Sequence, residues 1–411
     1  MTEAGVVLVI GSGGRLYREY LLAAAAGRDR LWLLDGAPPT WQRPYAWRST
    51  VVELLDRARL VPDQQLTVET AQKIAAEVPV AGVFTYDETL VVTAAHVAEA
   101  LGLRGLSIEG VENCRNKHRT RKALTAAGLV QPGFAYASTL TDARAAADRL
   151  GFPVVVKPRG AGASIGVVRA DGPAELEVAF AVAEAATHGG APAYEGGVLV
   201  EEYLVGPEIS VDGVTRDGKY QPFLLARKRT GFPPYFEETG HTVTAGDPLL
   251  ADPGILSTLT RAHRAVGVRD GVTHTEIRLT ARGPAIIEVN ARLGGDLIPY
   301  LGLLATGIDA AAVAVDAAVG REPDLTVTGG RTAGIRFCYP PADGTVRAVH
   351  LPPATAGLLE SRVMAEPGTA LVLPPRGFLG RYAGLIAVAD SAAACDAALD
   401  AAEAGAAVDL D

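Results

Sequence analysis

Two short stretches with the same alternation limit most sharply what this chain can become. In His274-Thr-Glu276-Ile-Arg278 and in Ile286-Ile-Glu288-Val-Asn290-Ala-Arg292, polar and apolar residues alternate. A β-strand sends successive side chains to opposite faces, so residues i and i+2 share a face. A hairpin-length gap separates the two stretches. Pairing them gathers Glu276, Glu288 and Asn290 on one face, with Arg292 continuing it. Three hard oxygen donors in one patch suit magnesium, which also binds a nucleotide's phosphates. An arginine beside them can neutralise a phosphate in transfer. The same alternation also describes a solvated strand face; Ile286, Ile287 and the following Gly294-Gly295 favour a buried functional site.

The remainder supplies what a bound triphosphate needs. Lys157 ends the apolar strand Val154-Val-Val between Pro153 and Pro158, where partial desolvation strengthens its pull on phosphate. Lys117, in Asn116-Lys-His-Arg-Thr-Arg-Lys122, reads equally as a surface lysine. Gly160-Ala-Gly-Ala-Ser-Ile-Gly166 is rich in small residues, which lets backbone N–H groups of Gly162, Ala163 and Ser164 approach phosphate oxygens. No Gly-Lys-Ser/Thr follows, so this is not a Walker loop. Val200-Glu-Glu-Tyr-Leu-Val-Gly-Pro-Glu208 offers main-chain groups and the apolar Leu204 to an adenine, and Glu208 to ribose hydroxyls.

The first α/β unit comes from Val6 to Ile10, an apolar run that ends at Gly11-Ser-Gly-Gly14 and leads into a helical pattern from Arg15 to Ala26. A second strand, Leu31 to Leu34, ends at Asp35. Strand, turn, helix and strand in that order open a parallel sheet. Gly11-Ser-Gly13 invites a dinucleotide-binding reading, but Leu16 stands where the third glycine belongs and would obstruct close helix–strand packing. The alternative is a tight turn whose helix N-terminus faces an anionic substrate. Val80 to Thr85 reads as a further strand with Thr89 to Leu101 as its helix. Glu112 to Leu124 reads as one charged helix, and Ser391 to Ala407 as a solvated packing helix.

Composition excludes other classes. A formal net charge of -9 and a pI near 5.4 argue against a general nucleic-acid binder. Cys114, Cys338 and Cys395 are widely spaced, as in a reduced cytosolic protein, not a disulfide or zinc framework. The N-terminus lacks a secretory pattern, and no stretch approaches the roughly 18 apolar residues of a membrane span. These features lead us to expect a cytoplasmic protein without a membrane or nucleic-acid partner.

The order of these motifs resembles the ATP-grasp superfamily over nearly the whole chain. Glu201 to Glu208 is similar to the matching segment of D-alanine–D-alanine ligases. Glu288-Val-Asn-Ala-Arg-Leu-Gly-Gly-Asp-Leu-Ile298 resembles the carboxylate–amine ligases that make dipeptides from free L-amino acids. The resemblance implies an α/β and α+β multidomain fold. Residues 1–110 would form a parallel pre-ATP-grasp unit, 111–330 the ATP-grasp region with a lid at about 150–205, and 331–411 a C-terminal α+β lobe. It implies Lys117 and Lys157 on ATP phosphates, and Glu201, Glu202, Tyr203 and Leu204 around adenine. Glu208 falls on ribose; Glu276, Glu288 and Asn290 hold two magnesium ions, for which manganese can substitute. Arg292 falls on the acyl phosphate. Lys228, in Arg227-Lys-Arg229, reads as a γ-phosphate contact or as part of a solvated basic turn. On the substrate side the resemblance points to Glu88 for an ammonium group and His241 for the amine, with His274, Gly294 and Gly295 nearby; His241 reads equally as a structural histidine. The implied reaction joins a small-molecule carboxylate, activated as an acyl phosphate, to an amine, in a homodimer. Alternatives are a biotin carboxylase-like or purine-pathway ligase, and a non-catalytic nucleotide-binding regulator.

Overall fold

A computed structural model describes residues 5–56, 61–187, 196–355 and 357–411. Its first layer is a four-stranded parallel sheet in the order Arg48–Val51, Leu31–Asp35, Val6–Ile10, Val80–Phe84. All five residues of Val6–Ile10 are buried, as a strand covered on both faces requires. Helix Arg15–Arg28 leaves the tip of Val6–Ile10 through Gly11 and Gly13, both at positive φ. A Cβ on Gly11 would come within 2.4 Å of Leu90 Cδ1, so only glycine fits there.

The second layer is antiparallel: Phe134–Ala137, Val198–Glu202, Val154–Pro158 and Val168–Ala170. Helices Leu140–Leu150 and Pro173–Ala186 cover its apolar face, burying Ala143, Ala147, Val154, Val156, Leu176 and Val200 together. Each helix carries its own start signal: a Thr139–Asp142 capping box in one, Pro173 at the first turn of the other. The expected lid reaches into residues 188–195, which lie outside the described residues.

The third layer is an eight-stranded sheet ordered Gly283–Asn290, Gly271–Thr280, Glu208–Arg216, Lys219–Gly231, Glu237–Thr244, Thr332–Cys338, Ala383–Ala389, Leu358–Val363. Alternation splits its contacts: Leu225 packs with Ile209, Ile277 and helix Pro253–Val266, whereas its neighbour Leu224 packs with Leu301 and Val313 on the opposite side. Three strands from beyond residue 331 thus extend the same sheet that carries Glu276 and Glu288. The mixed α/β and α+β character expected from the sequence is present.

One local expectation needs correction. The charged stretch Glu112 to Leu124 is not one helix. It breaks at Asn116, between helices Ile108–Arg115 and Lys117–Ala126. The final helix, Ala392–Ala404, is the solvated packing element expected: it buries Cys395, Leu399 and Ala402, leaves most of its other residues exposed, and is followed by strand Ala407–Leu410. Among the described residues no single helix is long and apolar enough to cross a membrane.

Candidate active site

The site is organised by the pairing of Gly271–Thr280 with Gly283–Asn290. Glu276 lies directly opposite Glu288, and His274 opposite Asn290. The alternation read from sequence therefore does bring the three oxygen-bearing side chains to one pocket. Arg292 lies past the strand end and so does not continue its face. It still lines the pocket, with Nε 2.5 Å from Glu88.

A cation from strand Lys219–Gly231 meets Glu276. Lys228 Nζ is 2.9 Å from Glu208, 2.6 Å from Glu238 and 2.9 Å from Glu276. Its side chain is only 3% exposed and it lies within strand Lys219–Gly231, not in a solvated turn. Burial alone would discharge this amine, but the three carboxylates hold its pKa well above the ordinary lysine value. Burial opposes ionisation of Glu238 too, yet Lys228 and His241 keep it well below the usual carboxylate range. Glu276 moves the other way. Burial raises it, and although Lys228 opposes this, Glu208, Glu288 and Glu238 crowd it with like charge. The pocket thus holds more negative charge than its lysine balances around Glu276. Hard oxygen donors short of positive charge fit a divalent ion there, with Glu276, Glu288 and Asn290 as its holders.

Lys117 owes its position to the helix break. Asn116 caps helix Lys117–Ala126 by accepting from the N–H groups of His118 and Arg119. Lys117 Nζ then sits 2.7 Å from Glu288 and donates to the Ala161 carbonyl at 2.6 Å. It is buried, not the surface lysine that the sequence allowed, and pins the glycine loop to the carboxylate face. In that loop Ala163 and Ser164 themselves adopt positive φ, at 54° and 57°. Backbone held in that region by non-glycine residues is a mark of a constrained functional turn.

Lys157 and Glu201 form a buried pair at 2.7 Å, with Arg121 Nε also 2.7 Å from Glu201. Burial would raise Glu201, but Arg121 and Lys157 bring it down to about 2. Its carboxylate is engaged by two cations. Glu201 lines the pocket with Glu202, Tyr203 and Leu204, where Leu204 is a buried apolar wall. Glu202 is drawn to the rim by Arg282 at 2.8 Å. Glu208 reaches both Lys228 and Arg278, the latter at 2.5 Å.

Substrate-side expectations fare unevenly. His274 lines the pocket, its Nδ1 held 2.5 Å from Asp212. Gly295 lines it too, while Gly294 is buried and donates its N–H to Asp212 at 3.1 Å. His241 does not reach the pocket; it is buried behind Glu238 and Asp296, at 3.1 and 3.5 Å. Burial would lower its pKa, but those two acids raise it. Glu88 lies in the adjoining cavity, its carboxylate 2.8 Å from Arg115 and 2.5 Å from Arg292. It holds two guanidiniums in place and offers no open carboxylate to an ammonium group.

Several residues escaped the sequence reading. Glu238 and Arg278 stood beside residues that were singled out. Asp296 and Arg381 carried no local signal. Arg381 pairs with Asp296 at 2.7 Å and donates to the Glu238 carbonyl at 3.0 Å. Next to it Leu379 donates its N–H to Glu237, and both Leu379 and Arg381 line the nucleotide pocket and the adjoining cavity.

Residues 150–300, which carry most of these side chains, match the ATP-grasp domain family. That stretch of the chain is an ATP-grasp domain. The chain is 30% identical over 328 residues to an uncharacterised protein of Sinorhizobium fredii, covering 77% of the chain and 66% of that relative. It is 29% identical over 289 residues to alanine–anticapsin ligase of Bacillus subtilis, covering 64% and 59%. The chain therefore spans only 59–66% of the length of these curated relatives. The crystal structure of an L-amino acid ligase from Bacillus licheniformis superposes with a TM-score of 0.81 over 100% of both chains, at 24% identity. That agreement establishes a shared fold along the entire chain.

Proposed function

We propose that this chain is an ADP-forming carboxylate–amine ligase that activates an amino acid as an acyl phosphate and couples it to an amine, giving an amide or dipeptide. The carrying observation is the opposition of Glu276 and Glu288 in a pocket with Lys117, Lys228 and Arg292. The similarity to alanine–anticapsin ligase supports the same reading.

A carboxylate resists attack because oxide is a poor leaving group. Phosphorylation turns that oxygen into phosphate, which leaves readily. Lys117 and Lys228 sit where a triphosphate would lie along the Glu276–Glu288 face, and their charges favour its transfer from ATP. Bound magnesium, held by Glu276, Glu288 and Asn290, would supply further positive charge to the phosphate oxygens. Arg292, oriented by Glu88, is placed to neutralise the acyl phosphate. The turn Gly160–Gly166 and the end of the Leu379–Arg381 segment enclose the pocket, which protects an acyl phosphate from water.

The test is a screen of amino-acid pairs with Mg-ATP, following ADP and identifying the product by mass. ADP release that requires two amino acids, with a product of their summed mass less water, is expected. Nucleotide binding without ADP release from any pair would overturn the reading in favour of a regulator.

A further inference from the structure

We propose that the acid substrate carries a second anionic group, a carboxylate or a phosphate, which binds Arg18 in the cavity beside the nucleotide pocket. The proposal rests on the ligase reading. The cavity measures about 470 Å³ and is lined by Gly13, Gly14, Arg18, Glu88, Arg115 and Arg292. It shares Arg292 and Gly295 with the nucleotide pocket, so a molecule reaching from one to the other spans the reacting position.

Its arginines are not equivalent. Arg115 and Arg292 pair with Glu88, and Arg381 pairs with Asp296. Arg18 forms no salt bridge among the described residues. Its guanidinium lies 5.3 Å over the Tyr86 ring, and Tyr86 is fixed by donating its hydroxyl to the Ser12 carbonyl at 3.1 Å. On the other side the chain of Arg18 runs across Gly13, where a Cβ would stand 3.1 Å from Arg18 Cγ. Gly13, at φ 63°, gives the side chain room to lie flat. The glycine turn that mimics a dinucleotide motif therefore holds an arginine in one orientation. Burial and the nearby Arg292 both disfavour the charge of Arg18. Asp87, which lines the same cavity, opposes this without forming a salt bridge to Arg18, so an anionic ligand would supply the close counter-ion that the side chain lacks. Gly14, the residue before helix Arg15–Arg28, provides no side-chain cap, which leaves the first-turn amides open to the same anion.

The acid is the better candidate for this contact than the amine. It must stay bound through two steps, and its reacting carboxylate changes charge in the first. An anchor remote from that group holds it throughout.

The experiment replaces the unknown amine by hydroxylamine. The acid oxygen takes the γ-phosphoryl group and ADP leaves; the hydroxylamine nitrogen then attacks the acyl carbon, phosphate departs, and a proton goes to buffer, leaving a hydroxamate that added ferric ion turns into a coloured complex. Acids are compared in pairs: glutamate with glutamine, aspartate with asparagine, phosphoserine with serine, the last separating phosphate from carboxylate. In at least one pair the charged acid should show kcat/KM at least tenfold higher. Arg18→Gln should bring that ratio near one, and Arg18→Lys should retain part of it. Equal use of both members of every pair, or an unchanged ratio in Arg18→Gln, overturns the proposal. So does an Arg18→Gln effect that instead tracks the carboxylate of the amine, with alanine compared against alaninamide. Should no acid yield hydroxamate or ADP, the ligase reading fails. Calorimetric binding of the charged acids then decides the anion site: binding lost in Arg18→Gln sustains it, equal binding overturns it.

Discussion

Lys228 is a single ammonium shared by Glu208, Glu238 and Glu276; removing it leaves Arg278 to Glu208 and His241 to Glu238, and takes from Glu276 its closest cation. Lys228→Met should therefore destabilise the protein by about 3–5 kcal/mol, read by denaturant unfolding at neutral pH. Glu288→Gln acts differently. It keeps the volume but removes an oxygen ligand and releases Lys117. ADP release should fall at least a hundredfold in kcat/KM, roughly 3 kcal/mol of transition-state stabilisation, while the circular dichroism spectrum is retained. Glu276, Glu288 and Asn290 were legible because a period of two needs only the residues themselves. Lys228 was ambiguous because its partners come from three other strands. Arg381 and Asp296 were silent, since nothing local distinguishes an arginine that will cross a sheet to its acid.

At the scale of elements, the sequence showed the strand tips but not the break at Asn116. Helical periodicity continues through that residue; the extended backbone there, with φ -102° and ψ 101°, is set by the side-chain cap. Asn116→Ala should cost about 1 kcal/mol and weaken ATP binding, because the same cap orients Lys117; calorimetry with Mg-ATP checks the second effect. Helix Pro253–Val266 carries a second test. His263 is buried, with Nδ1 donating to the Leu259 carbonyl at 2.7 Å and Nε2 accepting from Thr273 at 2.7 Å. Burial lowers its pKa from 6.5 to about 4. Below pH 6.5 the unfolded chain takes up a proton that the folded chain refuses, so stability falls as pH drops from 6.5 towards 4. The contribution at neutral pH is about 3 kcal/mol. Unfolding free energies at pH 7, 5.5 and 4.5 should decline in the wild type, and His263→Gln should flatten that slope.

Across the whole molecule, helix Arg15–Arg28 is tied to helix Ala310–Ala318 through Asp316. This buried acid accepts from Arg28, on the first helix, at 2.6 Å and from Arg321 at 2.7 Å. The nucleotide pocket draws on strands of two sheets, so Mg-ATP should stabilise the chain as a unit. At a hundredfold excess over Kd the gain is about 2.7 kcal/mol, seen as a raised Tm, and Glu276→Gln should lose most of it. The eight-strand order was not legible, because no periodicity tells strands past residue 331 to extend the sheet of Glu276. That order has a consequence for synthesis. Leu379 and Arg381 finish the wall of both chambers, so a ribosome must pass residue 381 before a growing chain can enclose an acid or a nucleotide.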